Sequence, residues 1–95
     1  MYIVRESFTA RPGMASKLAR LIKDVSKDMM KNKVRVMTDV IGDFNTVVFE
    51  TEIKDLAEHE QMMKEYGEKP ELRQRLAGYT DLWITGKREI FRVVE

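Results

Sequence analysis

The chain contains no cysteine among its 95 residues. That absence removes disulfides, thiolate metal and haem ligands and cysteine nucleophiles together, and it fits a reducing compartment. Histidine occurs once, at His59, so paired-histidine metal spacing is excluded and any histidine-dependent step or haem ligation has to use that residue. Proline is confined to Pro12 and Pro70 and glycine to five positions, leaving no glycine-rich phosphate loop and no low-complexity linker. Long apolar runs are missing too. Arg5 and Glu6 interrupt Met1-Tyr2-Ile3-Val4 before a signal-peptide core or membrane span develops, so the reading is a cytoplasmic protein with no membrane partner. An excess of one charge is also lacking: 17 Lys and Arg stand against 16 Asp and Glu, a formal net charge of +1, which is low for a reader of nucleic-acid backbone.

What remains is an ordinary globular composition, 43% hydrophobic and 35% charged, in a chain long enough for one core. A single domain over residues 1–95 is expected. Residues 2–9 alternate and are rich in β-branched and aromatic types, which predicts a strand ended by Arg11-Pro12-Gly13. From Met14 to about Lys31 the apolar residues Met14, Leu18, Leu21, Ile22, Val25 and Met29 recur in steps of three and four, the mark of an amphipathic helix, with Asn32 as a left-handed stop. Residues 33–41 and 45–53 read as a hairpin around Gly42-Asp43-Phe44. Asp55 is placed to cap a second helix that Gly67 closes, and Pro70 permits a short third helix to Ala77. A connector through Trp83 then leads to a last strand, 89–94.

The order strand, helix, strand, strand, helix, strand with right-handed crossovers predicts an α+β fold, the ferredoxin-like βαββαβ, whose antiparallel sheet runs four, one, three, two. Both helices then cover one face. Apolar side chains nevertheless occur on both sides of the strands, as with Ile3 against Val4, Val36 against Met37 and Val47 against Val48. A second layer is therefore expected on the other face, and in so short a chain it is a second copy, making a homodimer.

The Arg11-Pro12-Gly13 step, the turn at Gly42-Asp43, the run Phe49-Glu50-Thr51-Glu52-Ile53-Lys54-Asp55-Leu56 and the closing Arg88-Glu89-Ile90-Phe91-Arg92-Val93 together resemble the dimeric α+β barrel superfamily. Within it the chain is most similar to NIPSNAP-like and antibiotic-biosynthesis-monooxygenase-like domains. The resemblance spans the whole chain, carries no catalytic signature, and implies fold more than activity. It implies a small, largely apolar or aromatic ligand bound in the helix–sheet cleft and either oxidised or isomerised there; the superfamily's monooxygenases often need no bound cofactor, because an electron-rich substrate can itself activate oxygen. The alternative is a non-catalytic ligand sensor or assembly module. Haem-degrading members of the superfamily use a first-strand asparagine with a histidine and a tryptophan; here the first strand offers Ser7, leaving only His59 and Trp83 for such a role.

Three residues are expected to line the cleft: His59 and Tyr66, seven positions apart and so on one side of the second helix with Leu56 and Met63, and Trp83, closing one end and hydrogen bonding through its indole nitrogen. The competing reading for each is plain packing. Charges within strands (Arg5, Glu6, Arg35, Asp39, Glu50, Glu52, Arg88, Arg92) read as cross-strand ion pairs at edges and rims, or as the lining of a wet cleft. The seven methionines either fill the core or make an adaptable wall for an apolar ligand. Phe44-Asn45-Thr46-Val47-Val48-Phe49 superficially resembles the third-strand motif of RNA-recognition domains. Thr46 stands where that motif has an aromatic and Gly42 where it has a basic residue, so no nucleic-acid partner is expected.

Overall fold

A computed structural model describes residues 1–95. Its elements are β1 (Tyr2–Ala10), α1 (Ala15–Met29), β2 (Val34–Thr38), β3 (Thr46–Ile53), α2 (Leu56–Gly67), α3 (Pro70–Arg75), a 3-10 turn (Tyr79–Leu82) and β4 (Trp83–Arg92). The sheet order is β2-β3-β1-β4 with every neighbouring pair antiparallel, which is the ferredoxin-like α+β arrangement. No helix is long and apolar enough to cross a membrane.

Alternation along the strands divides the sheet into two faces. Val4 and Phe8 of β1 and Val47, Phe49 and Ile53 of β3 share one face through the pairs Val4↔Thr51, Glu6↔Phe49 and Phe8↔Val47. Against it α1 lays Leu18, Ile22 and Val25, and α2 lays Met62. The core is split: Ala10, Leu18, Ile22 and Val47 form one cluster, and Val4, Ile53 and Met62 the other.

Several expectations change. The predicted hairpin is shorter, 34–38 with 46–53, because the Asp39 carboxylate accepts the Thr46 N–H and Thr46 donates its hydroxyl to the Asp43 carbonyl, folding 39–45 into a loop. Gly42 and Asn45 hold its positive φ angles, and the β-branched Val40 and Ile41, read as strand, stand 94% and 97% exposed. Asn32 is not a left-handed stop: α1 ends at Met29 with Met30 extended, and Asn32 donates to the Glu52 carbonyl and to Glu58. Asp55 does cap α2, accepting from the Glu58 N–H. The last strand begins at Trp83 rather than Glu89, since pairing to β1 carries Thr85, Gly86 and Lys87 into the ladder despite their weak apolar pattern.

Candidate functional site

A cleft of about 200 Å³ lies between the covered face and the helices. Its floor is Val4, Glu6 and Phe8 of β1 with Phe49 and Thr51 of β3; its walls come from α1, α2, α3 and the 3-10 turn. Of 17 lining residues 13 are hydrophobic, which suits it to an apolar guest and leaves the polar ones to decide orientation. Ser26 is engaged already, its hydroxyl donating to the Lys23 carbonyl one turn back.

Glu6 is different. It points to the helix side because it sits in phase with Val4 and Phe8, and its one partner is Arg88 of β4, directly opposite in the register, with Nη2 3.4 Å from Oε2. Oε1 has no protein partner. Glu6 appeared among the charged strand residues of the sequence with nothing to separate it from the others; the alternation of β1 was the available signal, since Glu6 shares the phase of its apolar side.

His59 and Tyr66 both line this cleft from α2, and neither is hydrogen bonded within the chain. The stripe they belong to is not the one expected. Met62 is the buried residue of α2, wedged against Val4 and Ile53, whereas Leu56 is 52% exposed and Met63 only rims the cleft. The helix is rolled so that positions 59, 62 and 66 face inward. Burial, helped by the charge of Glu65, pushes the Tyr66 phenol above its ordinary range, so it is a hydrogen-bond donor at neutral pH. Lys69 lies over the ring, its ammonium 5.4 Å from the centroid.

Trp83 is not among the lining residues. As the first residue of β4, opposite Ala10, it packs its ring 5.3 Å from Phe8 and 6.1 Å from Tyr79, both of which do line the cleft. Its indole nitrogen is buried without an acceptor, against the expected hydrogen bond. Trp83 therefore sits one residue behind the wall. Gly86, unremarked in the sequence, permits this packing: a Cβ there would meet the Phe8 ring edge at 3.0 Å.

The Glu50 carboxylate, on the other face, is fully engaged. Arg5 Nε donates to Oε2 at 2.6 Å, while Arg35 reaches Oε1 through Nε at 2.7 Å and Nη2 at 2.6 Å. Glu50 is only 3% exposed although no helix covers it, because the two guanidinium groups cover it. Burial by itself would raise its pKa, but the hydrogen bonds from Arg5 and Arg35, with their charges, outweigh burial and hold the carboxyl below the usual carboxylate range. Arg5 also stacks 5.1 Å from the centroid of Phe91. The expected ion pairs thus exist, but this one occupies the centre of the sheet rather than an edge or rim. No group of three or more His, Asp or Glu side chains is arranged to hold a metal ion.

No family model matches this sequence, and no curated protein matches it significantly. Solved structures do resemble it in fold. An uncharacterized NIPSNAP domain protein from Burkholderia xenovorans is 12% identical with a TM-score of 0.85, over 99% of this chain and 95% of that one. A NIPSNAP family protein from Agrobacterium tumefaciens is 14% identical with a TM-score of 0.84, over 100% and 95%. A Deinococcus radiodurans protein proposed to be an antibiotic biosynthesis monooxygenase is 14% identical with a TM-score of 0.73, over 100% and 94%. At these identities the likeness is one of fold: the chain has the fold seen in NIPSNAP and antibiotic-biosynthesis-monooxygenase-like proteins.

Proposed function

We propose that the helix–sheet cleft binds a small, largely apolar molecule. The observation that carries this is a mostly hydrophobic cleft whose wall also presents an unengaged carboxylate oxygen at Glu6, an imidazole at His59 and a phenol at Tyr66. Half-buried polar groups without a protein partner, reached by water beside an apolar space, can give a guest orientation and proton transfer. Fold likeness to a protein proposed to be an antibiotic biosynthesis monooxygenase supports oxygenation as the reaction: one oxygen atom of dioxygen enters the substrate in place of two hydrogens, and the other leaves with them as water. Loss of the first proton would fall to Glu6 or His59. The second reading is a ligand sensor or assembly module without turnover. Native mass spectrometry of freshly purified protein should find a retained small molecule. Oxygen uptake on adding that molecule separates the readings, since binding without uptake removes the enzyme.

The open face we assign to a second copy of the chain. In register, Arg35, Glu50, Arg5 and Glu89 form one row across all four strands, alternating in sign, with Met37, Val48, Ile3 and Phe91 on flanking rows. A two-fold axis along the strands, passing between β3 and β1, brings Arg35 opposite the partner subunit's Glu89 and Glu50 opposite the partner subunit's Arg5. The row is therefore self-complementary in that orientation, whereas an axis along the row sets like charges against each other. An interface of this kind buries on the order of 2,000 Å² or more. Light scattering at low micromolar concentration should give twice the chain mass. Glu89→Arg, which leaves the Arg5 and Arg35 clamp on Glu50 in place, sets like charge against the partner subunit's Arg35 and should weaken the pair; a wild-type monomer sinks the assignment.

A further inference from the structure

Resting on the ligand-cleft reading above, we infer that the natural ligand is a compact one- or two-ring molecule carrying a neutral hydrogen-bond donor, such as a phenolic hydroxyl, which it gives to Oε1 of Glu6. Three observations converge. The first is size. A cavity of about 150 Å³ lined by apolar side chains takes a benzene ring, so about 200 Å³ takes a molecule of roughly 8–10 non-hydrogen atoms. The second is the state of Glu6. Arg88 touches only Oε2, and does so at 3.4 Å, so Oε1 is an acceptor in the cleft wall with no donor in the chain to fill it. The Glu6 side chain is 23% exposed, so water fills that acceptor in the empty cleft, and a guest that displaces the water has to replace its hydrogen bond, which selects a donor and rejects an acceptor. The third is the sign of the wall. No lysine or arginine is among the lining residues, and Glu6 is the one lining residue of fixed charge, with Arg88 turned to its Oε2, so a carboxylate ligand brings acceptors to Oε1 where a donor is needed.

The placement of Glu6 makes it the residue that sets ligand polarity. It projects from β1, a central strand paired on both sides, between Val4 and Phe8 in the same phase. Arg88, on the neighbouring edge strand, fixes one oxygen and so aims the other. A donor on the ring of the guest then meets Oε1, while the rest of the ring rests on Phe8 and Phe49 under Met62.

The test is calorimetric titration of the wild-type protein with 5-indanol, its isostere 5-methylindane, the similarly sized carboxylate 4-methylbenzoate and the three-ring 9-phenanthrol. A hydrogen bond to a charged acceptor is expected to favour 5-indanol over 5-methylindane by about tenfold or more, with the carboxylate weaker than both and 9-phenanthrol too large to enter. In Glu6→Gln the preference for 5-indanol should fall to within about threefold while 5-methylindane binds as before, because the amide replaces a charged acceptor by a neutral one. Melting curves of the variant show that it is folded, and the wild-type comparison stands without it. Equal binding of 5-indanol and 5-methylindane, or tightest binding of the carboxylate or of 9-phenanthrol, overturns the inference and leaves the ligand cleft intact. Failure of all four probes to bind removes the cleft reading itself.

Discussion

Glu6 on the helix side of the sheet keeps one carboxylate oxygen without a partner, while Glu50, one strand away on the open side, has both oxygens clamped by arginines. The two residues belong to adjacent paired strands, and their different treatment separates a group held for structure from one left for use. Satisfying a buried carboxylate with two guanidinium groups converts a desolvation cost into a rigid cross-strand link over β2, β3 and β1. Oε1 of Glu6 has no protein donor and stays open to water, so beside the cavity it is free to take its hydrogen bond from a ligand instead.

The contrast between faces can be broken first at its apolar residues. Leu18 is fully buried between α1 and the covered face, so Leu18→Ala should cost about 2–5 kcal/mol in urea unfolding. Val48, its counterpart on the open face, should cost under about 1 kcal/mol when truncated to alanine in any monomer present at high dilution. Similar losses for both would mean that the two faces are not energetically distinct.

The carboxylates sharpen the comparison next. Glu50→Gln removes the charge both arginines need and should lower stability by about 1–3 kcal/mol, whereas Glu6→Gln should change it by no more than about 0.5 kcal/mol. The effect of Glu50 is pH-dependent with a defined sign. Its folded carboxyl titrates below the ordinary value of 4.5, so its contribution is fully present above that value and is lost as pH falls through the depressed one. The gap between wild type and Glu50→Gln should accordingly be constant from neutral pH down to about 4.5 and close below it. A gap that widens on acidification contradicts the clamp.

The smallest expected effect is at Gly86. A methyl group there would press on the Phe8 ring edge at 3.0 Å, so Gly86→Ala should cost about 1 kcal/mol and alter Trp83 emission, since Trp83 packs on that ring. Unchanged emission would show that Phe8 yields without moving its neighbour, and would disconnect Trp83 from the cleft.

Much of the fold was legible because its signals are local. The three- and four-residue steps of α1, the cap at Asp55 and the β-branched runs of β1 and β3 need only neighbours in the chain to act. The β2–β3 loop and the start of β4 were misplaced for the complementary reason. Val40 and Ile41 have strand propensity and no strand to pair with, and Thr85-Gly86-Lys87 have little propensity but a partner in β1. At the candidate site helical spacing marks His59 and Tyr66 as lining residues but groups them with Leu56 and Met63, whereas the buried residue of the helix is Met62. The roll of a short helix by a fraction of a turn is decided by what it packs against, here Val4 and Ile53.

By itself, then, the sequence determined the kinds of elements, their order and the chemistries that have no residues to carry them, because composition and periodicity are properties of the chain alone. Tertiary structure decided that Glu6 faces a cleft with a free oxygen, that Glu50 is held from both sides by Arg5 and Arg35, and that Trp83 stands behind the wall. Each of those facts depends on strand register, and register joins residues far apart in sequence, Glu6 to Arg88 and Arg5 to Glu50, whose meeting no local pattern encodes.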